Sequence, residues 1–177
     1  VTYDNTSLTG WHKGFPDALA RIDLATHRTV PWDDNVPFFL GEFVETRGGK
    51  EQPLPICPRQ VLKRVLRRAE KLGFVPMCGM EFEWFNFRET PQSWADKKGV
   101  GPVPVTPGMF GYSLLRAHEN REFFAALIDD FAAFRVPIEG LHTETGPGVY
   151  EVAILFSEAL EAADRAILFK AGTKEIG

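Results

Sequence analysis

Residues 80–87, Met-Glu-Phe-Glu-Trp-Phe-Asn-Phe, repeat with a period of two, and that period commits the segment to a β-strand. Glu81 and Glu83 then leave one face together, continued by Phe85 and Phe87, while Phe82 and Trp84 line the other. With apolar side chains on both faces, the strand is expected to be buried. Two bare carboxylates tolerate burial only with a proton, a partner or a cation. A second acidic pair, Glu144 and Glu151, brackets Gly146-Pro147-Gly148. A turn there folds two strands back on each other and sets the two carboxylates about 5 Å apart as cross-strand neighbours. Four oxygen donors without a nearby cysteine suit magnesium or manganese better than zinc. A solvated strand face beside an ordinary turn describes the same letters, because perturbed carboxylates mark function only statistically.

Composition narrows the alternatives. The 177 residues are 44% hydrophobic and 25% charged, which is ordinary for a globular chain long enough to bury a core. A net charge of -4 leaves no electrostatic footprint for nucleic acid or an anionic membrane. No apolar run is long enough to span a bilayer and no basic-then-apolar leader is visible, although a chain that starts at Val1 is silent on any leader. Cys57 and Cys78 read most simply as reduced, buried thiols of a cytoplasmic protein.

Residues 1–56 read as turns and strands, with strands expected near Leu19–Leu24 and Pro37–Val44. Gly48 to Pro55 then breaks the pattern and marks a boundary. Pro58 opens a helix whose Val61, Leu62, Val65, Leu66, Ala69 and Leu72 recur at helical spacing up to Gly73; its other face is basic and reads as solvated. A strand from Phe74 to Phe87 follows, then an aperiodic Pro/Gly-rich excursion from Glu89 to Gly108 of the kind that covers a site or simply loops. A helix is expected near Asn120–Phe134, strands near Ile138–Thr143 and Gly148–Leu155, and a last helix capped by Ser157 running to about Ala171. The sum is a mixed α+β chain.

In order and spacing, these pieces resemble the glutamine synthetase family, including its γ-glutamyl-amine (polyamine) ligase relatives. Tyr3-Asp4-Asn5-Thr6-Ser7-Leu8-Thr9-Gly10-Trp11 looks like the family's F-D-G-S-S-I-x-G-W loop. Residues 21–32 resemble the strand that follows it, and Cys57-Pro58-Arg59 with Lys63-Arg64 resembles D-P-R-x-x-x-K-R. Gly79-Met80-Glu81-Phe82-Glu83-Trp84-Phe85 is similar to G-x-E-x-E-F-F, and His142-Thr143-Glu144 through Glu151 to H-H-E-x-x-P-G-Q-x-E. The resemblance implies that residues 1–56 are the C-terminal part of a β-grasp domain. It makes residues 57–177 the first part of a catalytic domain, an antiparallel sheet with helices on one side.

The same resemblance implies roles. Glu83, Glu144 and Glu151 would hold the metal that orients a glutamate γ-carboxylate, and Glu81 would help hold a second metal at the phosphates of ATP. Glu139 would lie near the nucleotide, Asp4 would bind the ammonium or amine and take its proton, and Ser7 would line that pocket. The implied reaction is phosphorylation of glutamate by ATP, then attack of ammonia or an amine on the γ-glutamyl phosphate, in a ring-shaped homo-oligomer. Asp4 taken alone would more often close an Asx-turn, and His142 would more often be a hydrogen-bonded strand histidine than a ligand.

Three positions depart from the ammonia-using pattern: Thr143 and Val149 stand where it has His and Gln, and Met109 where it has the Tyr of a G-Y-F segment. A thioether in place of a phenol makes the amine pocket more apolar, which favours an amine carrying a carbon chain. The chain also stops at Gly177, ahead of segments the family uses for nucleotide and glutamate, so an internal fragment, inactive and poorly soluble alone, is expected. A non-catalytic structural or assembly member of the same fold is the competing class. Retention of all four acidic positions argues against it.

Overall fold

The computed structural model describes residues 17–177. Its first layer is an antiparallel sheet in the order β1-β2-β3, with β1 at Leu19–Val30, β2 at Val36–Arg47 and β3 at Lys50–Pro53. The Gly48 to Pro55 stretch holds a hairpin. Arg47 pairs with Lys50, and Gly48 and Gly49 between them both take positive φ, 57° and 73°, the backbone that a two-residue hairpin turn demands. Strand β1 runs six residues further than its apolar pattern suggested, because an irregularity between Asp23 and Arg28 absorbs residues that break the alternation.

Helix α1, Pro58–Lys71, starts with its proline in the first turn and leads to β4, Met77–Phe85. The excursion after β4 is more organised than its composition suggested. It holds α2 (Pro91–Asp96), opened by a reciprocal Thr90–Ser93 capping box, and α3 (Leu114–Glu119), capped by Ser113. Glu89 gathers the hydroxyl of Ser93, the ammonium of Lys97 and the backbone N–H of Val103, which together hold its carboxyl down at about 2. Then come α4 (Arg121–Ala133), β5 (Ile138–Thr143), β6 (Val149–Glu158) and α5 (Ala159–Ile176). Ser157 does not cap α5. It stays in β6 with a buried, unpartnered hydroxyl, and Glu158 takes the N-cap position without a side-chain cap.

The second sheet has the antiparallel order β4-β6-β5, and α4 and α5 cover one side of it. Its core is aromatic: Phe169 of α5 lies 4.7 Å from Phe131 of α4, 5.2 Å from Phe82 and 5.7 Å from Trp84, centroid to centroid. Leu127, Val136, Val152 and Tyr150 are fully buried around them. No helix among the described residues is long and apolar enough to cross a membrane.

Two devices join the layers. Trp32, in the β1–β2 turn, inserts edge-on between Phe131 and Phe134, and a Cβ at Gly172 would come within 2.8 Å of its ring. Only glycine lets α5 accept that indole. The second device is ionic: Arg59 of α1 bonds Asp164 of α5 at 2.9 Å, Asp23 of β1 at 2.7 Å, and Glu42 of β2, while Lys63 reaches Asp23 and Glu42. Burial alone would lower the Arg59 guanidinium, but the carboxylates of Asp164, Asp23 and Glu42 outweigh it and hold the group above its ordinary value.

Removing Arg59 leaves these acids facing one another, so Arg59→Ala should cost about 3–5 kcal/mol in urea unfolding. Arg59 also depresses the Asp23 carboxyl, so this contribution is fully present above about pH 4, the ordinary carboxylate range, and is lost as pH falls through the folded value. Urea midpoints measured down to pH 3 should fall for the parent chain and show a shallower acid slope in Arg59→Ala.

Candidate metal centre

Because Met80, Phe82 and Trp84 turn inward onto the helices, the residues between them turn outward, and Glu81, Glu83 and Phe85 lie on an exposed face. The expectation of a strand buried on both faces is corrected here. Strand β4 is an edge strand covered on one side, and Phe85 is 59% exposed. The acids converge all the same, for a reason of register. Glu83 lies directly opposite Glu151, and Glu151 directly opposite His142, so the three form one row across β4, β6 and β5. Glu81 lies one row along, opposite Ala153.

The turn at Gly146-Pro147-Gly148 supplies the remaining acid. The Glu144 N–H donates to the carbonyl of Val149, so Glu144 is the diagonal cross-strand neighbour of Glu151. Gly148, at φ 75°, lies so close to Asn86 that a Cβ would be 2.5 Å from its carbonyl oxygen, which ties the turn down onto the chain beyond β4.

One ligand atom each from His142, Glu144 and Glu151 lies within 4.8 Å of the others. His142 Nδ1 is 3.7 Å from Glu144 Oε2, and Nε2 is 3.7 Å from Glu151 Oε2. Side-chain exposure is 14% for Glu144 and 18% for Glu151, so both are poorly hydrated. Their electrostatics differ. The Thr145 N–H, donating at 2.7 Å, leads the groups that hold Glu144 below its ordinary value; the Thr145 side chain, Tyr112 and His142 add to it. Glu151 is pushed up, first by burial and then by the charges of Glu83, Glu144 and Glu81, with His142 opposing.

A divalent cation fits this set on two grounds. Glu144 Oε2 is buried and has no hydrogen-bond partner, and Glu151 carries crowding by three neighbouring acids that a positive ion would relieve. The carboxylates suit magnesium or manganese, and an imidazole nitrogen among them shifts the donor set away from magnesium toward transition metals.

Two side chains beside the acids complete the cluster. His142 reads from sequence as a hydrogen-bonded strand histidine, and the strand period places it on the face of Glu144. Tyr112 stacks on His142 with ring centroids 4.6 Å apart, and the neighbouring Glu144 carboxylate raises its phenol above the ordinary value. It arrives through a positive φ of 56° and an N–H bond to the Thr143 carbonyl at 2.6 Å, a loop geometry that no periodicity announces. Met109, expected where a phenol was lost, is 69% exposed, and Tyr112 brings a phenol back to the acids. Glu139 is exposed at a register shift in β5 and joins no ion pair among the described residues. Asp4 and Ser7 lie outside the described residues.

Known proteins resemble this chain in sequence and in fold. A family model described as the glutamine synthetase catalytic domain matches residues 55–177. "Type-1 glutamine synthetase 2" of Dictyostelium discoideum is 55% identical over 174 residues, 98% of this chain and 33% of that protein. "Glutamate--isopropylamine ligase" of a Pseudomonas species is 31% identical, over 98% of this chain and 37% of its own length. The solved structure titled "Apo GmaS without ligand" superposes with a TM-score of 0.75 at 23% identity, over 91% of this chain and 36% of that one, which shows a shared fold. The chain thus spans about a third of the length of the relatives it matches, and within that third it belongs to the glutamine synthetase family of ligases.

Proposed function

We propose that the exposed face of the β4-β6-β5 sheet is the metal-binding part of a ligase site that joins the γ-carboxylate of glutamate to ammonia or a primary amine at the expense of ATP. The row Glu83–Glu151–His142, with Glu144 beside it, carries the reading. Like charges set directly opposite one another destabilise a sheet, and a bound cation is the natural compensation. Magnesium or manganese held there would supply the positive charge that phosphoryl transfer to a carboxylate requires.

In this reading Glu83, Glu144 and Glu151 hold the ion that orients the γ-carboxylate, and Glu81 faces a second ion at the nucleotide phosphates. Tyr112, beside Glu144, helps hold its carboxyl below the ordinary value after the leading effect of Thr145. Asp4 serves as the base for the incoming nitrogen, with Ser7 beside it and Glu139 toward the nucleotide. Residues 1–56 belong to the β-grasp part and residues 57–177 to the catalytic part, and the working assembly is a cytoplasmic ring in which Asp4 serves a neighbouring subunit. For the nitrogen substrate, the strongly exposed apolar side chains of Met109, Phe110 and Leu114 near the Tyr112 loop favour an amine with a carbon chain over bare ammonium.

Titrating the chain with Mn2+ by electron paramagnetic resonance tests the centre. Glu144→Gln and Glu151→Gln should each weaken binding at least tenfold, and affinity should fall on acidification sooner than for ordinary carboxylates, because protons occupy the raised Glu151 first. Unchanged Mn2+ affinity in both variants removes the site.

Turnover is tested in a chimera that places this segment in the Dictyostelium relative. ADP release should require both glutamate and a nitrogen donor, and kcat/KM should be higher for short alkylamines than for ammonium. A clear preference for ammonium removes the amine assignment and leaves the ligase reading intact.

A further inference from the structure

Helix α1 holds six of the chain's twenty Lys and Arg residues and one acid, in a protein of net charge -4. Arg59 and Lys63 are spent on Asp23, Glu42 and Asp164. The other four, Arg64, Arg67, Arg68 and Lys71, recur at helical spacing on one outward stripe, and none has a carboxylate partner among the described residues. Among the described residues their side chains make one hydrogen bond, from Arg64 to the carbonyl of Pro55 at 3.4 Å.

A second line runs beside the stripe. Val61, Val65 and Leu72 fall on the adjoining sector of the helix and are 37%, 55% and 74% exposed. The inward sector is already used, with half-buried Leu62 and Leu66 turned toward the body of the protein. Thus α1 is amphipathic twice: once toward its own core, and again toward solvent, where a cationic line about 10 Å long lies against an apolar one.

The geometry points to α1 as a docking surface for an acidic amphipathic helix of another protein. Charge complementarity selects this occupant: two turns of a helix with Glu or Asp on one line and Leu-like side chains on the next would neutralise all four cations and cover the three exposed apolar groups together. A phosphate polyanion would meet the cations and leave Val61, Val65 and Leu72 wet. An anionic lipid surface would meet a net negative protein whose exposed apolar line contains no aromatic residue.

The test uses a synthetic helical peptide of about 18 residues with a Leu line beside a Glu line, followed by fluorescence anisotropy against the full chain. Binding should exceed that of a scrambled peptide of the same composition at least tenfold and should weaken with salt. The exposed reversal Arg64→Glu/Arg68→Glu/Lys71→Glu should reduce it at least tenfold with an unchanged thermal melt, and Val65→Asp should reduce it with the cations intact. Equal binding of the scrambled peptide or of poly-glutamate overturns the proposal. So does indifference to both variants, tighter binding to phosphatidylserine vesicles, or a self-association that the same reversal abolishes.

Discussion

The one-sided packing of α5 against the β4-β6-β5 sheet is the constraint from which the candidate centre follows. Phe169 meets Phe82, Trp84 and Phe131 at centroid distances near 5 Å, and these rings fix which face of β4 turns inward. With period two, the inward choice of Phe82 and Trp84 dictates the outward choice of Glu81 and Glu83. A slip of one residue would send the carboxylates into the aromatic layer and the aromatics into water, so the core itself enforces the register of the acidic row. The row is thus a by-product of hydrophobic packing as much as of any ligand it serves.

Alternation and turn residues were legible because they are local. The strand character of residues 80–87, the Gly146-Pro147-Gly148 reversal and the capture of Glu144 and Glu151 in one neighbourhood all follow from spacing. Partnership across strands was not legible. That Glu83 faces Glu151, and Glu151 faces His142, depends on the order β4-β6-β5, in which the last strand inserts between two earlier ones. The same omission misjudged burial: apolar Phe85 and Phe87 suggested a covered face, yet they stack on each other 6.0 Å apart on the exposed side. Tyr112 was invisible for another reason, since a loop residue with positive φ belongs to no period.

The two electrostatic clusters show how partner supply changes the outcome of crowding charges. Around Arg59, cations from α1 interleave with Asp23, Glu42 and Asp164, and the assembly closes on itself as a clamp between layers. On the sheet face, four acids meet a single imidazole and a phenol, and the account stays open: Glu151 is pushed up while Glu144, fed by Thr145 and Tyr112, is held down. Two carboxylates within reach of one imidazole, displaced in opposite directions, make an asymmetric pair. The protein has satisfied one and left the other to find positive charge elsewhere.

That asymmetry bears on which acid first senses a cation. Glu144 is held below its ordinary value and oriented by the Thr145 N–H, so it offers a preset oxygen, the buried Oε2 that no described protein group bonds. Glu151 must lose any proton before it can ligate, and it gains most when the ion arrives, because the same charge that it binds also relieves the repulsion from Glu83 and Glu81. In the proposed site, ion binding and relief of repulsion would therefore fall on the same residue, at the centre of the row and flanked on both sides by strands whose positions the aromatic core has fixed. The rigidity of that site would come from the far side of the sheet, where the aromatic core fixes the strands, and its affinity for an ion from the charges left unbalanced on the near side.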